Sequence, residues 1–211
     1  MIELYYYPGN ASLFPHMLLR EIGCEFTLRL VDRAQNAQTS PAYLELNPNG
    51  RIPVLVDDGH AIFETAAIGL YLADRFAECG LAPALGAASR ADYYRWMVYL
   101  ANTPQAEFRA WFYPHEFVDD PALAGHAKAA AGGKLARIFA TIAAQLGEGP
   151  WLLGERFSAA DLFLLMMVRW GRTLPTPARQ LPQLAAHADR VLSRAAVQAA
   201  LLAEGLSPPF V

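Results

Sequence analysis

The chain has 211 residues, 54% of them hydrophobic, and a formal net charge of −3, with lysine only at Lys128 and Lys134 and the arginines scattered. This is enough material for one large domain or two small ones with a full core, and the charge pattern excludes the basic stripe of a nucleic-acid binder. Cys24 and Cys79 lie outside any Cys-x-x-Cys spacing, the N-terminus lacks a leader pattern, and the longest apolar segment, 162–168, is too short to span a bilayer, so the expectation is a cytoplasmic protein with no metal and no membrane association.

Residues 2–6 read as a buried strand, ended by Pro8-Gly9-Asn10. Leu13, Met17, Leu18 and Ile22 then keep helix spacing until Gly23 stops it. Phe26, Leu28 and Leu30 alternate with Thr27 and Arg29 as a second strand, and the polar stretch 32–40 is a loop. A short helical piece at 41–46 leads to Asn47-Pro48-Asn49-Gly50-Arg51-Ile52-Pro53. Pro53 lacks a backbone donor and so belongs at the entrance of the strand Val54-Leu55-Val56, after a peptide bond that sequence leaves open between cis and trans. A turn at Asp57-Asp58-Gly59 and Ala61-Ile62-Phe63 complete a hairpin, and a helix over 65–76 carries Ile68, Leu72 and Phe76 on one stripe. The order βαβ, then ββα, is the one a thioredoxin-like domain requires.

A linker rich in glycine, proline and small residues occupies 81–88, and no alternating strand follows it. Residues 1–80 carry five basic and ten acidic groups and the remainder twelve and ten, so composition also changes there. The division is therefore 1–80, an α/β domain, and 89–211, an all-helical domain, with helices expected over 89–113, 121–146, 159–171, 181–187 and 189–203. Pro104 and Gly132-Gly133 are weak points in the first two.

Three groups of residues could carry chemistry, and a fourth has a structural form. Ser12 opens a helix after a strand and a turn, where free N–H groups and the helix dipole favour a developing anion; its plain alternative is an N-cap. Glu64-Thr65 opens the helix after the hairpin, with a carboxylate beside a helix end that could take an anion. Tyr99, Asn102, Gln105, Phe108, Arg109 and Phe112 recur at three- and four-residue steps and could line a cleft or an ordinary helix interface. Ser158 to Asp161 has the form of a capping box, with aspartate in place of glutamate, and reads as structural. The five histidines show no metal-ligand spacing.

Residues 41–68 resemble the glutathione-binding half of cytosolic glutathione transferases, with Asn47-Pro48, Gly50, Ile52-Pro53, Leu55 and then Glu64-Thr65. The start, Leu4 to His16, resembles the first strand and helix of the bacterial beta-like branch, and Phe157-Ser158-Ala159-Ala160-Asp161 matches the family's C-terminal capping motif. The resemblance implies a homodimer that uses glutathione as cosubstrate, without a metal, and joins its thiol to a small hydrophobic electrophile. It implies Ser12 as the catalytic hydroxyl at the sulfur with Tyr6 as its competitor. Glutathione would be held by Asn49, Arg51, Ile52, Pro53, Glu64 and Thr65, and the electrophile by Tyr7, Asn102, Gln105, Phe108, Arg109 and Phe112. Many beta-like relatives carry a cysteine where this chain has Ala11 and a histidine where it has Gln105. Those departures keep two other readings in view, a glutathione-dependent isomerase or reductase and a non-catalytic ligand binder.

Overall fold

Alternating burial along Ile2–Tyr6 makes this segment β1, one of two inner strands of a four-stranded sheet. In this computed structural model, which describes residues 1–211, the strand order is β2-β1-β3-β4, with β2 at Phe26–Leu30, β3 at Val54–Asp57 and β4 at His60–Phe63. β1 runs parallel to β2, pairing Ile2 with Phe26 and Tyr6 with Leu30, and antiparallel to β3, pairing Leu4 with Leu55. The β3–β4 hairpin turns through Asp58 and Gly59, both at positive φ, 48° and 85°, as a two-residue turn that matches strand twist requires.

Helix α1 (Leu13–Ile22) is buried from Leu13 to Leu19, and Gly23 ends it in left-handed backbone at φ 77°. The short α2 spans Pro41–Leu46, and α3 (Thr65–Arg75) buries Ile68 and Leu72, as the spacing predicts. The loop 32–40 holds two short 3-10 turns, Arg33–Gln35 and Ala37–Thr39.

The helical part comprises α4 (Ser89–Leu100), α5 (Ala106–Phe112), α6 (Ala124–Leu146), α7 (Ala159–Gly171) and α8 (Pro182–Leu192), with α9 (Ala195–Ala203) after it. Between α4 and α5 the helix expected over 89–113 passes through a π-helical segment, Ala101–Gln105, around Pro104. A proline removes the N–H that an α-helix needs, and a π turn reroutes the ladder without ending the helix. Gly132 does not break α6: a Cβ there would come within 3.0 Å of the Trp111 ring, so the glycine admits the indole. The last two helices meet at 193–194 and not at 188, because Leu184, Ala188 and Val191 keep one buried stripe going through that point. No helix is long and apolar enough to cross a membrane.

The chain forms two compact units, Met1–Ala84 with Leu192–Phe210, and Leu85–Val191 with Val211. The last helix, α9, thus clusters with the sheet unit, whereas the division at 81–88 assigns it to the helical one. It packs along α1 with Val197, Ala200 and Leu201 buried, and the Arg194 guanidinium grips the Glu21 carboxylate in two bonds of 2.6 and 2.8 Å. In the second unit α7 is buried almost throughout, from Ala159 to Arg169.

Candidate active site

The turn that ends β1 is closed by Ser12. Its hydroxyl donates to the Tyr7 carbonyl oxygen at 3.1 Å and accepts from the Tyr7 N–H at 3.2 Å, in a fully buried position. The hydroxyl has one proton, and this bond uses it, so the structure shows Ser12 clasping the turn where the sequence suggests a donor to sulfur. Nor does Ser12 act as a side-chain cap; the Asn10 carbonyl accepts from the Leu13 N–H and the Asn10 amide oxygen from the Ala11 N–H. The Ala11 methyl is buried, so this turn carries no thiol.

A buried acid stands behind the same turn. Glu204, just past α9, directs Oε2 to the Gly9 N–H at 2.7 Å and Oε1 to His16 Nδ1 at 2.8 Å, with neither side chain exposed to solvent. Arg20 Nε donates to His16 Nε2 at 3.4 Å, so the network puts the imidazole proton on Nδ1, facing the carboxylate. The Tyr6 ring centroid lies 6.4 Å from that of His16, on the α1 side of the sheet, whereas Tyr5 packs edge-on against Tyr43 on the other side. The period of two along the strand thus separates Tyr5 from Tyr6. Tyr7 carries the Arg33 guanidinium over its ring at 5.6 Å.

The second half of the site is the turn before β3. Gly50 sits at φ 59°, and a Cβ there would meet the Gln38 carbonyl oxygen at 3.1 Å, so both conformation and space select glycine. The Arg51 carbonyl accepts from the Tyr43 hydroxyl and from Asn47 Nδ2, each at 2.8 Å. Because the peptide unit is planar, two donors on that oxygen also fix the direction of the Ile52 N–H. The Ile52–Pro53 bond that follows is cis. Ile52 is half-buried and Pro53 buried, while Asn49 and Arg51 are exposed beside them. Tyr43, on α2, and Asn47, the residue that caps it, thus hold the turn from one side, a support that the sequence analysis did not single out; two polar side chains four residues apart on a short helix otherwise packed on the sheet were the available signal.

Burial pushes the Tyr43 phenol well up. A folded-state pKa raised above the unfolded value gives stability that is complete below about pH 10 and is lost as pH climbs toward the folded value. Tyr43→Phe should therefore cost about 1 kcal/mol at neutral pH from the lost hydrogen bond and flatten the alkaline decline in stability. Urea unfolding between neutrality and about pH 11 checks both.

Glu64 is exposed at the start of α3 with φ 75° and ψ 117°, a conformation that non-glycine residues rarely hold. Such strain costs about 1–3 kcal/mol and concentrates at ligand clamps. Thr65, the first residue of α3, is buried next to it. Glu64, Thr65, the Ile52 turn and the β1–α1 turn all belong to the first unit.

The residues expected to meet a second substrate divide in the helical unit. Asn102 and Gln105 fall in the π segment, the first exposed and the second partly so. Phe108 is fully buried among Phe112, Phe139 and Trp170, stacked on Phe112 with centroids 5.6 Å apart, and so is core. Phe112 is 42% exposed at the edge of that cluster. Arg109 is paired with Glu116 and its guanidinium lies over the Tyr113 ring at 5.5 Å, so the charge of this residue, expected at the electrophile, is already neutralised within its own unit.

The fold is a thioredoxin-like unit followed by a helical one, and its turn, strained acid and cis-proline sit together in the first. The chain matches the family models for the glutathione S-transferase N-terminal domain over residues 1–74 and the glutathione S-transferase C-terminal domain over residues 125–190. It is 35% identical to glutathione S-transferase GST-4.5 of Xanthomonas campestris, covering 98% of this chain and 100% of that one. Among solved structures it is similar to a glutathione transferase homolog from Sulfitobacter with bound glutathione, at 27% identity and a TM-score of 0.90 over 98% and 99% of the two chains. A bacterial beta class glutathione S-transferase from Sphingomonas chungbukensis matches at 32% identity and a TM-score of 0.86, over 97% and 100%. The chain belongs to the glutathione S-transferase family, in its bacterial beta-like branch.

Proposed function

We propose that this enzyme joins the thiol of glutathione to a small hydrophobic electrophile, acting in the cytoplasm as a homodimer. The observation that carries this reading is Glu64, held in strained backbone at the start of α3 in the same unit as the pinned Arg51 carbonyl. Glutathione offers a γ-glutamyl ammonium and carboxylate at one end and a peptide in its middle. Glu64 suits the ammonium, Thr65 and the α3 N-terminus suit the carboxylate, and the fixed backbone of Ile52, ahead of Pro53, suits the peptide. Exposed Asn49 and Arg51 then flank the ligand. The glutathione bound by the Sulfitobacter relative supports the assignment.

In this reading the glutathione sulfur faces the start of α1. N–H groups of a helix first turn and the helix dipole stabilise a thiolate without a metal, and the thiolate attacks the electrophile to form the carbon–sulfur bond. Ser12 serves as a positioning residue through its clasp on Tyr7, and Tyr6 as a wall residue beside His16. Of the residues expected at the electrophile, Tyr7 belongs to the first unit; Asn102, Gln105 and Phe112 belong to the second, where Phe108 lies behind Phe112 and Arg109 is held by Glu116.

Thiolate absorbance followed across pH, with glutathione bound, tests the activation. The bound thiol should ionise well below its free value, and Ser12→Ala should weaken binding while leaving that depression in place; binding with no depression would favour a carrier. Glu64→Ala should lower glutathione affinity by roughly 10- to 100-fold, as loss of a charge-assisted contact implies. Stoichiometric glutathione loss during turnover separates conjugation from isomerisation, in which glutathione is recovered.

A further inference from the structure

The far end of α1 carries two thiols that the glutathione site does not use. Gly23 closes the helix in left-handed backbone, and the chain passes directly into Cys24 before β2. The 3-10 turn Ala77–Cys79 after α3 lies against the same helix end, with Cys79 Sγ 3.8 Å from the Ile22 carbonyl oxygen. That places Cys79 beside the carbonyl two residues before Cys24. Both thiols are free, Cys24 partly exposed and Cys79 exposed. Burial raises the Cys24 thiol above its ordinary value, and the Cys79 thiolate adds to that rise. Arg75 donates to Asp57 Oδ2 at 2.6 Å and Tyr71 donates to the same oxygen at 2.8 Å, whereas Asp57 Oδ1 is buried without a partner.

We propose that Cys24 and Cys79 form a redox-active dithiol, which closes to an intramolecular disulfide on reaction with a low-molecular-weight disulfide such as glutathione disulfide. The more exposed Cys79 acts first: its thiolate attacks one sulfur of the oxidant, the oxidant's sulfur–sulfur bond breaks, and one glutathione thiolate leaves. The Cys24 thiolate then attacks the Cys79 sulfur of the mixed disulfide and displaces the second glutathione thiolate. The two protein thiol protons end on the two released glutathione thiols; the protein loses two electrons and the oxidant gains them. Burial pushes both thiols up, so exchange should quicken as the solution becomes alkaline. The closed bridge would tie the α1–β2 corner to the end of α3, within the first unit and away from the β1–α1 turn.

The test is incubation of the full chain with glutathione disulfide at about pH 8.5, the ordinary thiol value, followed by acid quench, intact mass and a count of free thiols. The expected product has lost both thiols, is lighter by two hydrogens, carries no glutathione and returns to the dithiol with dithiothreitol. Cys24→Ser should stop at a single glutathione adduct on Cys79. Stable adducts on the native chain, disulfide-linked dimers in place of the internal bridge, or survival of both thiols would each overturn the proposal. Because the native chain alone decides, the result does not depend on the variant folding, and because no conjugation is read, it is independent of the proposed transferase reaction.

Discussion

Replacing Asp161 by alanine should remove about 3–5 kcal/mol of stability, the range for stripping one partner from a buried charged network. Its Oδ1 accepts from the Leu152 N–H at 2.9 Å and from His187 Nε2 at 3.0 Å; its Oδ2 accepts from the Ser158 N–H at 2.9 Å and the Ser158 hydroxyl at 3.2 Å. The side chain is fully buried, so water cannot replace it. Two oxygens thus serve four donors, and they join the start of α7, the 151–154 turn and α8. Asparagine should fare nearly as badly, because its NH2 group would face donors where an acceptor is needed. His187→Ala should be milder: it removes one donor, and His187 Nδ1 already lacks a partner. With domains of this kind stable by about 5–15 kcal/mol, the alanine chain should unfold at markedly lower urea or fail to accumulate in soluble form. An Asp161→Asn chain that unfolded at the native midpoint would show that the network does not stabilise the helical unit.

The capping box at Ser158 and Asp161 was legible in sequence because both ends lie three residues apart, but its other partners were not. Leu152 and His187 reach Asp161 across 9 and 26 residues, and local pattern does not specify which distant donor a buried acid will meet. The same division runs through the chain. The strand at 2–6 follows from its apolar and aromatic run, the one at 26–30 from alternation, the hairpin from Asp57-Asp58-Gly59, and α7 from its continuous apolar run. Each is decided within one element's own length. The turn before β3 was legible because its glycine and proline have backbone requirements that few other residues meet. What sequence could not supply was the second layer. Ser12 showed its place at a helix start but not that Tyr7 would consume its proton. Arg109 showed its charge but not Glu116. His16 and Glu204 lie 188 residues apart, and no local pattern joins them.

Glu204 is where that second layer should matter most for binding. Glu204→Ala takes the acceptor from the buried His16 Nδ1, at about 1–3 kcal/mol for an orphaned group, and removes the carboxylate contact of the half-buried Gly9 N–H. Glutamine keeps one acceptor oxygen and turns its NH2 toward the other donor, so it should recover only part of the loss. The consequence is not confined to stability. Gly9 belongs to the Pro8-Gly9-Asn10 turn that Ser12 closes against Tyr7, so its release loosens the start of α1, the end proposed to face the glutathione sulfur. The KM for glutathione should rise roughly tenfold, equivalent to about 1.4 kcal/mol, in both variants. Arg194 still holds Glu21 near the other end of α9, so fraying should begin at 200–205, where hydrogen exchange should accelerate first. Exchange that sped up there with KM unchanged would confine Glu204 to anchoring the helix and break its link to the site. A raised KM in both, partly restored by glutamine, would identify α9 as the element that holds the active-site turn in register.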